Sequence, residues 1–445
     1  MRQRIQWPGW QRLATPSILV TASLMTRNIL RLGSNLILTR LLFPEAFALI
    51  GVVTMVMIAL ELTSDLGTMA FLVRHENSEA RRYQDGIWTI ILIRSLLLAG
   101  LMFASAPVVG AWLEMPEIIP ALRLMSLHFV FKAFSSLQPT MAVRAGNEGK
   151  NAVITLGLQV IVIATTLLFA WWLRSFWAIV IGMMVGEFFR MISTYVFYKH
   201  SWSKFYWDKE LFFELFAFSK FVIISSIMGL VLGQFDRVYV LQNLDLKTVG
   251  LYFLAANFAL PAVEIVTQYN WKIFYPYFAK VARNSPESLN QAFYQIQFKM
   301  RLLFQLGAGF GITAGTLIVA VLLPESYLPA GVFFSFLVVK ALLLAMEMPA
   351  EVYIISRGYI KMTLYGNILR LIWLISLAAI AIDKENVFLM IFAAATVDFL
   401  PMLLFNWMVY KEGVLNLKYE AGFLAASGVA ALIGWGISHI GMNFV

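Results

Sequence analysis

An all-α, polytopic membrane fold is predicted by three features of this 445-residue sequence. Apolar runs of about 20 residues, the length needed to cross ~30 Å of hydrocarbon, recur from one end to the other. Hydrophobic residues make up 60% of the chain and charged residues 13%, roughly half the charged share of a soluble protein. Nothing between the runs is long enough to fold as a soluble catalytic or nucleotide-binding domain.

Residues 1–16 carry Arg2, Arg4 and Arg12 with Trp7 and Trp10. This pattern reads as a cytosolic interfacial segment with aromatic anchors, and it lacks the cleavage pattern of a signal peptide. Thirteen spans are then expected, near 17–40, 46–64, 86–107, 118–141, 151–173, 176–198, 212–240, 247–271, 296–322, 328–354, 360–382, 386–410 and 420–442. Connections assigned to the cytosol hold most of the remaining Lys and Arg, among them Arg74, Arg81, Arg82, Arg144, Lys150, Lys272, Lys299, Arg301 and Lys411. The other side has only Arg40, Arg174, Lys247 and Lys384. That asymmetry follows the positive-inside rule and places the N-terminus in the cytosol. The longest connection, about 272–295, is read as cytosolic and contains Asn284, Ser285 and Pro286.

Six spans in 17–200 and six in 201–410 predict two lobes of the same orientation around a central cavity, a parallel repeat about the membrane normal. Residues 411–445 add one further helix.

The charges inside the spans carry the functional signal. Arg27, Arg31, Arg94, Arg123, Lys132, Arg190, Lys220, Arg237, Lys340 and Arg370 all fall within apolar runs. Each cation at mid-membrane costs at least ~2.5–3.5 kcal/mol, so most of them are expected to line a hydrated interior suited to an anion. In the first span Ser23, Arg27, Arg31, Ser34 and Asn35 share one helix face. Arg31 lies about 14 residues in, roughly 21 Å at 1.5 Å per residue, which is deep for a side chain that merely snorkels to a headgroup. Two guanidinium groups on one face can fork onto phosphate oxygens.

The eighth span carries Asn257, Glu264, Thr267 and Gln268, with Pro261 as a kink or hinge. Glu264 needs a cation or a proton at that depth, and Arg27, Arg31 and Arg237 are candidate partners. Lys132 shares a face with His128 and Ser135, and Glu187 with Arg190 reads as a self-neutralising pair. Asp236 and Arg237 read as an interfacial pair. Lys340, Arg370 and Asp398 lie mid-span in the second lobe, where they either pair together or leave Asp398 to bind a coupling proton or Na⁺. Arg94 and Arg123 are nearer the membrane faces, and snorkelling is the alternative for both.

Zero cysteines exclude disulfides and thiolate chemistry. No metal-ligand cluster is visible, and Gly146-Asn147-Glu148-Gly149-Lys150 has the wrong glycine spacing for a phosphate-binding loop. The net charge of +9 is spread over spans and short connections, and it is not read as a nucleic-acid surface. No enzyme and no resident cofactor is expected.

Three stretches resemble the polysaccharide transporter (oligosaccharide flippase) branch of the multidrug/oligosaccharidyl-lipid/polysaccharide exporter superfamily. They are Thr39-Arg40-Leu41-Leu42-Phe43-Pro44-Glu45-Ala46-Phe47-Ala48, Ser64-Asp65-Leu66-Gly67, and Phe235-Asp236-Arg237 followed by Val249 to Ala255 and Pro261. Ala48 stands where that family usually has glycine. The resemblance implies a MATE-like two-lobed fold of twelve or fourteen spans in a bacterial cytoplasmic membrane. It further implies an oligosaccharide on an undecaprenyl pyrophosphate carrier, flipped from the cytosolic to the periplasmic leaflet, with polymerase or export machinery as partners. Arg27, Arg31, Lys132 and Lys220, with Arg237, Asn257, Glu264 and Gln268, are then the expected headgroup-binding residues. Asp398 and Glu264 are the expected coupling sites for Na⁺ or H⁺. The main rival is an ion-coupled small-molecule exporter on the same fold. A membrane polymerase or ligase would need larger outer loops than Leu323 to Leu328 provides.

Overall fold

A computed structural model describes residues 10–198, 202–284 and 288–441, without the side chains of residues 10–21 and 284. The expected interfacial segment 1–16 and the Asn284-Ser285-Pro286 junction therefore fall wholly or partly outside the described residues. All regular structure among the described residues is helical. In order these helices are α1 (Trp10–Leu41), α2 (Pro44–Thr63), α3 (Thr68–Arg74), α4 (Arg81–Trp112), α5 (Ile118–Ala133), α6 (Gln138–Arg144), α7 (Glu148–Leu173), α8 (Trp177–Val196), α9 (Lys209–Asn243) and α10 (Leu246–Tyr269). They continue with α11 (Tyr275–Asn284), α12 (Leu289–Leu322), α13 (Ala330–Ser356), α14 (Met362–Asp383), α15 (Val387–Ala395), α16 (Phe399–Lys411) and α17 (Leu417–Gly441).

Eleven of these spans are long and apolar enough to cross a bilayer among the described residues, or twelve when α5 and α6, bent by 56°, count as one. The first expected span, 17–40 within α1, has the length but not the apolarity, because Arg27, Asn28, Arg31, Ser34 and Asn35 dilute it. Large apolar side chains stand exposed along the helices, such as Leu97 on α4, Leu168 on α7, Ile375 on α14 and Leu432 on α17. Water would not tolerate that surface, whereas acyl chains satisfy it. The chain is a multi-pass membrane protein.

Two compact units divide the chain, Met1–Leu230 and Val231–Val445, with the division falling inside α9. In the first, α4 packs on α5, and α7 on both α1 and α8. Gly182 of α8 lies directly on the Thr166 side chain of α7, where any Cβ would collide. Small residues of this kind let membrane helices approach closely. Phe71, Leu72, Ile87, Trp88, Leu137, Leu211 and Leu215 form a buried cluster there.

In the second unit α12 packs against α13 and α17, and α13 also meets α10 and α16. A Cβ at Gly331 on α13 would sit 2.6 Å from the Thr316 Cα of α12. The aromatic centre is Phe274, Phe278, Phe293, Tyr353 and Phe405, all buried.

Much of the expected 272–295 connection is instead helix. A π-helical turn, Asn270–Phe274, carries α10 into α11. Phe274 and Phe278 are four residues apart and bury one face against Phe293 and Tyr353, while Lys272 and Lys280 stay exposed. The basic residues on the outer face gave this amphipathic stretch the look of a loop. Arg301, assigned to a cytosolic connection, also proves to be inside α12 and only 1% exposed.

Candidate functional site

In the first unit the motif Ser64-Asp65-Leu66-Gly67 builds the end of α2. Gly67 takes a left-handed φ of 63°, and its N–H donates to Asp65 Oδ1 at 2.9 Å. Ser219 of α9 donates to the Leu66 carbonyl at 2.8 Å, and Ser226 to Asp65 Oδ2 at 3.2 Å. Arg94 of α4 donates through Nη2 to the Glu61 carbonyl and to Ser64 Oγ, each at 2.9 Å. A cation satisfying the free carbonyls of a helix C-terminus is favoured by the helix dipole. Arg94 is thereby a structural cap and does not snorkel.

The expected basic residues take different environments. Arg27 and Arg31 are half-buried on one face of α1, and Arg31 Nη2 donates to Asn28 Oδ1 at 3.0 Å. Among the described residues no carboxylate pairs with Arg27. The apolar Met25, Ile29 and Ile37 of the same helix are exposed. Lys220 on α9 is exposed, with its ammonium 5.1 Å from the Phe221 ring centre. Lys132 on α5 forms an ion pair with Glu61 of α2. Its charge is met within the protein, a partner that the helix-face pattern of Lys132 did not reveal. One turn away His128 lies 3.7 Å from Glu187, which also takes Arg190 Nε at 3.0 Å, the i, i+3 pair read from sequence. Arg123 is exposed and lies over the Phe103 ring.

In the second unit Arg237 rests over the Phe253 ring at 5.7 Å. Its expected partner Asp236 is buried and instead accepts the Tyr252 hydroxyl. A buried carboxylate needs a near donor, and Tyr252 is fully buried beside it. Asn257 is exposed, and Glu264, Thr267 and Gln268 are half-buried, on the side of α10 away from its buried Leu251, Leu254, Ala255 and Val266. Pro261 lies inside α10 without ending it.

Asp398 occupies a distinctive position. The span Val387–Lys411 is interrupted by a turn at Thr396 to Asp398, so Asp398 is the residue from which α16 starts. It accepts Arg370 Nε at 2.7 Å. The same guanidinium donates to Glu347 Oε1 at 2.5 Å and to Asn367 Oδ1 at 2.7 Å, and it stands 3.9 Å from Glu351 Oε2. Glu347, Glu351 and Asp398 are all at most 4% exposed. Two of these acids, Glu347 and Glu351, one turn apart on α13, were not singled out from the sequence. Ionisable residues inside an apolar run were the available signal. Lys340 is half-buried on α13 and takes no part in this cluster.

The profile of a family described as "Polysaccharide biosynthesis protein" matches residues 37–331. The succinoglycan biosynthesis transport protein ExoT of Rhizobium meliloti is 23% identical over 245 residues, covering 55% of this chain and 49% of that protein. The chain thus spans about half the length of that relative. The teichuronic acid biosynthesis protein TuaB of Bacillus subtilis is 20% identical over 80% of this chain and 74% of its own. Among solved structures, the lipid II flippase MurJ in an inward closed conformation aligns with a TM-score of 0.72 at 13% identity, over 94% of this chain and 92% of that one. An inward-facing multidrug resistance MATE transporter of the MOP superfamily aligns at 0.66 and 13% identity, over 89% and 98%. These two likenesses identify the fold as MATE-like, in agreement with the expected architecture. With more than half of its length inside the family profile, the chain belongs to the family of polysaccharide biosynthesis proteins.

Proposed function

We propose that this protein is a flippase that moves a lipid-linked oligosaccharide, on an undecaprenyl pyrophosphate carrier, from the cytosolic to the periplasmic leaflet by alternating access. The observation that carries the reading is the basic face of α1, where Arg27 and Arg31 stand half-buried in a helix too polar to pass for an ordinary span. A sugar hydroxyl entering hydrocarbon unpaired costs several kcal/mol (~4–8 on alkane scales), and a pyrophosphate more. The lipid tail can stay in the bilayer while the headgroup takes a wet, cationic path. Arg27 and Arg31 are the proposed pyrophosphate ligands, with Lys220 and Arg237 as further basic contacts and Asn257, Glu264 and Gln268 for sugar hydroxyls. Lys132 reaches the substrate only by exchanging Glu61 for it.

The transport name of one relative, ExoT, and the fold shared with a lipid II flippase support this reading. The proposed setting is a bacterial cytoplasmic membrane with the N-terminus in the cytosol and a polysaccharide polymerase downstream. H⁺ or Na⁺ coupling at Asp398 or Glu264 belongs to the same proposal. Deleting the gene tests it: the lipid-linked oligosaccharide should accumulate on the cytosolic leaflet. A normal lipid pool combined with heightened sensitivity to cationic compounds would favour a drug exporter on the same fold.

A further inference from the structure

Three carboxyl groups surround one guanidinium inside the second unit, and the charges do not balance. Glu347 and Glu351 come from α13, Arg370 from α14 and Asp398 from the turn between α15 and α16. Fully ionised, the four groups would leave a net charge of −2 on side chains that are mostly buried. The neutral side chain bonded to the cluster is Asn367, which accepts from Arg370. Elsewhere this stretch of α13 meets apolar side chains, with Leu344, Ala345 and Met348 packed against Val263, Val266 and Phe304. The charged groups that share this guanidinium with Glu347 are Glu351 and Asp398.

A second observation is independent of the charge count. Arg370 uses only one oxygen of each close acid, leaving Glu347 Oε2 and Asp398 Oδ2 buried with no hydrogen-bond donor. Both side chains are held by the same guanidinium, Glu347 at Nη2 and Asp398 at Nε. Carboxylates accept and cannot donate, so a buried carboxyl oxygen that no donor reaches is satisfied by carrying a proton of its own. Like charges sharing one site cannot both ionise, which is the logic of the aspartic-protease dyad.

We propose that Glu347 and Asp398 hold one exchangeable proton between them, clamped by Arg370, and that this pair is the protein's proton-binding site. Binding joins H⁺ from water to one carboxylate oxygen, and release returns it to water, leaving two carboxylates facing a single guanidinium. A metal cation suits the site poorly. Arg370 already supplies a positive charge to both acids, and no group of three His, Asp or Glu among the described residues is arranged to hold a metal ion. The proposal deepens the coupling reading above, and its role in transport rests on that reading. The proton itself is measurable without transport.

The test is infrared difference spectroscopy of the purified full-length protein in lipid nanodiscs, titrated from acid to alkaline pH. The expected result is a carboxylic-acid C=O band present at neutral pH, shifted in D₂O and lost on alkalinisation. Glu347→Gln and Asp398→Asn should each remove it, and Glu351→Gln should leave it. Absence of the band in the unmodified protein overturns the proposal. So does a band that survives in both variants, or one abolished by NaCl but not by choline chloride at constant pH. A band that behaves as expected, in a protein whose flipping ignores the proton gradient, would keep the site and remove only its coupling role.

Discussion

Arg301 of α12 and Glu420 of α17 form a two-pronged ion pair, with Nη1 donating to Oε1 at 2.9 Å and Nη2 to Oε2. Tyr294 donates to the same carboxylate at 2.8 Å, and the guanidinium lies 4.7 Å from the Phe423 ring centre. Arg301 is almost wholly buried, so its charge depends on this one partner.

Glu420→Ala is therefore expected to destabilise the second unit by ~3–5 kcal/mol, the usual cost of stranding one half of a buried pair. The thermal unfolding midpoint in detergent reads the loss. The double variant Arg301→Met/Glu420→Leu should recover most of it, because hydrophobic residues of similar volume replace such pairs at little cost. A double variant less stable than Glu420→Ala would refute this account.

The Lys132–Glu61 pair separates a structural lysine from a substrate-binding one. If the pair is structural, Glu61→Lys/Lys132→Glu should restore the flipping that Lys132→Glu alone loses. If the Lys132 ammonium must reach the pyrophosphate from α5, the exchange will not restore it. Flipping in vesicles, normalised to inserted protein, decides between the two. The pairing leads us to expect recovery to at least half of the unmodified rate.

On α1, Arg31→Ala is expected to abolish flipping while the protein still inserts, since the pyrophosphate would lose a charge-assisted partner on its path. Arg31→Lys should keep part of the activity, because an ammonium supplies charge without the planar fork. Full flipping by well-inserted Arg31→Ala would remove the basic face from the mechanism.

Gly67→Ala tests the turn that follows α2. The left-handed φ costs an L-residue about 1–2 kcal/mol. The new Cβ would also stand 2.8 Å from Val222 Cγ2. A lowered unfolding midpoint with unchanged helix content is expected. Asp65→Ala should have a smaller effect, because it removes hydrogen bonds and leaves the backbone unstrained.

Apart from α1, the span map was legible because each span announces itself locally, through about twenty apolar residues. Amphipathic α11 was not legible. Its buried face shows only in the i, i+4 pair Phe274 and Phe278, and Lys272 and Lys280 on either side of them mimic a connection. The i, i+3 spacing of Glu187 and Arg190 was likewise enough to pair them. Lys132 with Glu61, Arg301 with Glu420, and Glu347 with Arg370 and Asp398 join different helices, and no spacing rule links residues so far apart in the chain.

The amino-acid order alone determined that this chain enters a membrane as a helical bundle with cations inside it. Apolarity and helical period are properties of neighbouring residues. Which cations remain for a substrate was decided only by the fold, because an ion pair is a matter of a few ångströms between helices. Packing brought carboxylates to Lys132, Arg301 and Arg370, and among the described residues it brought none to Arg27.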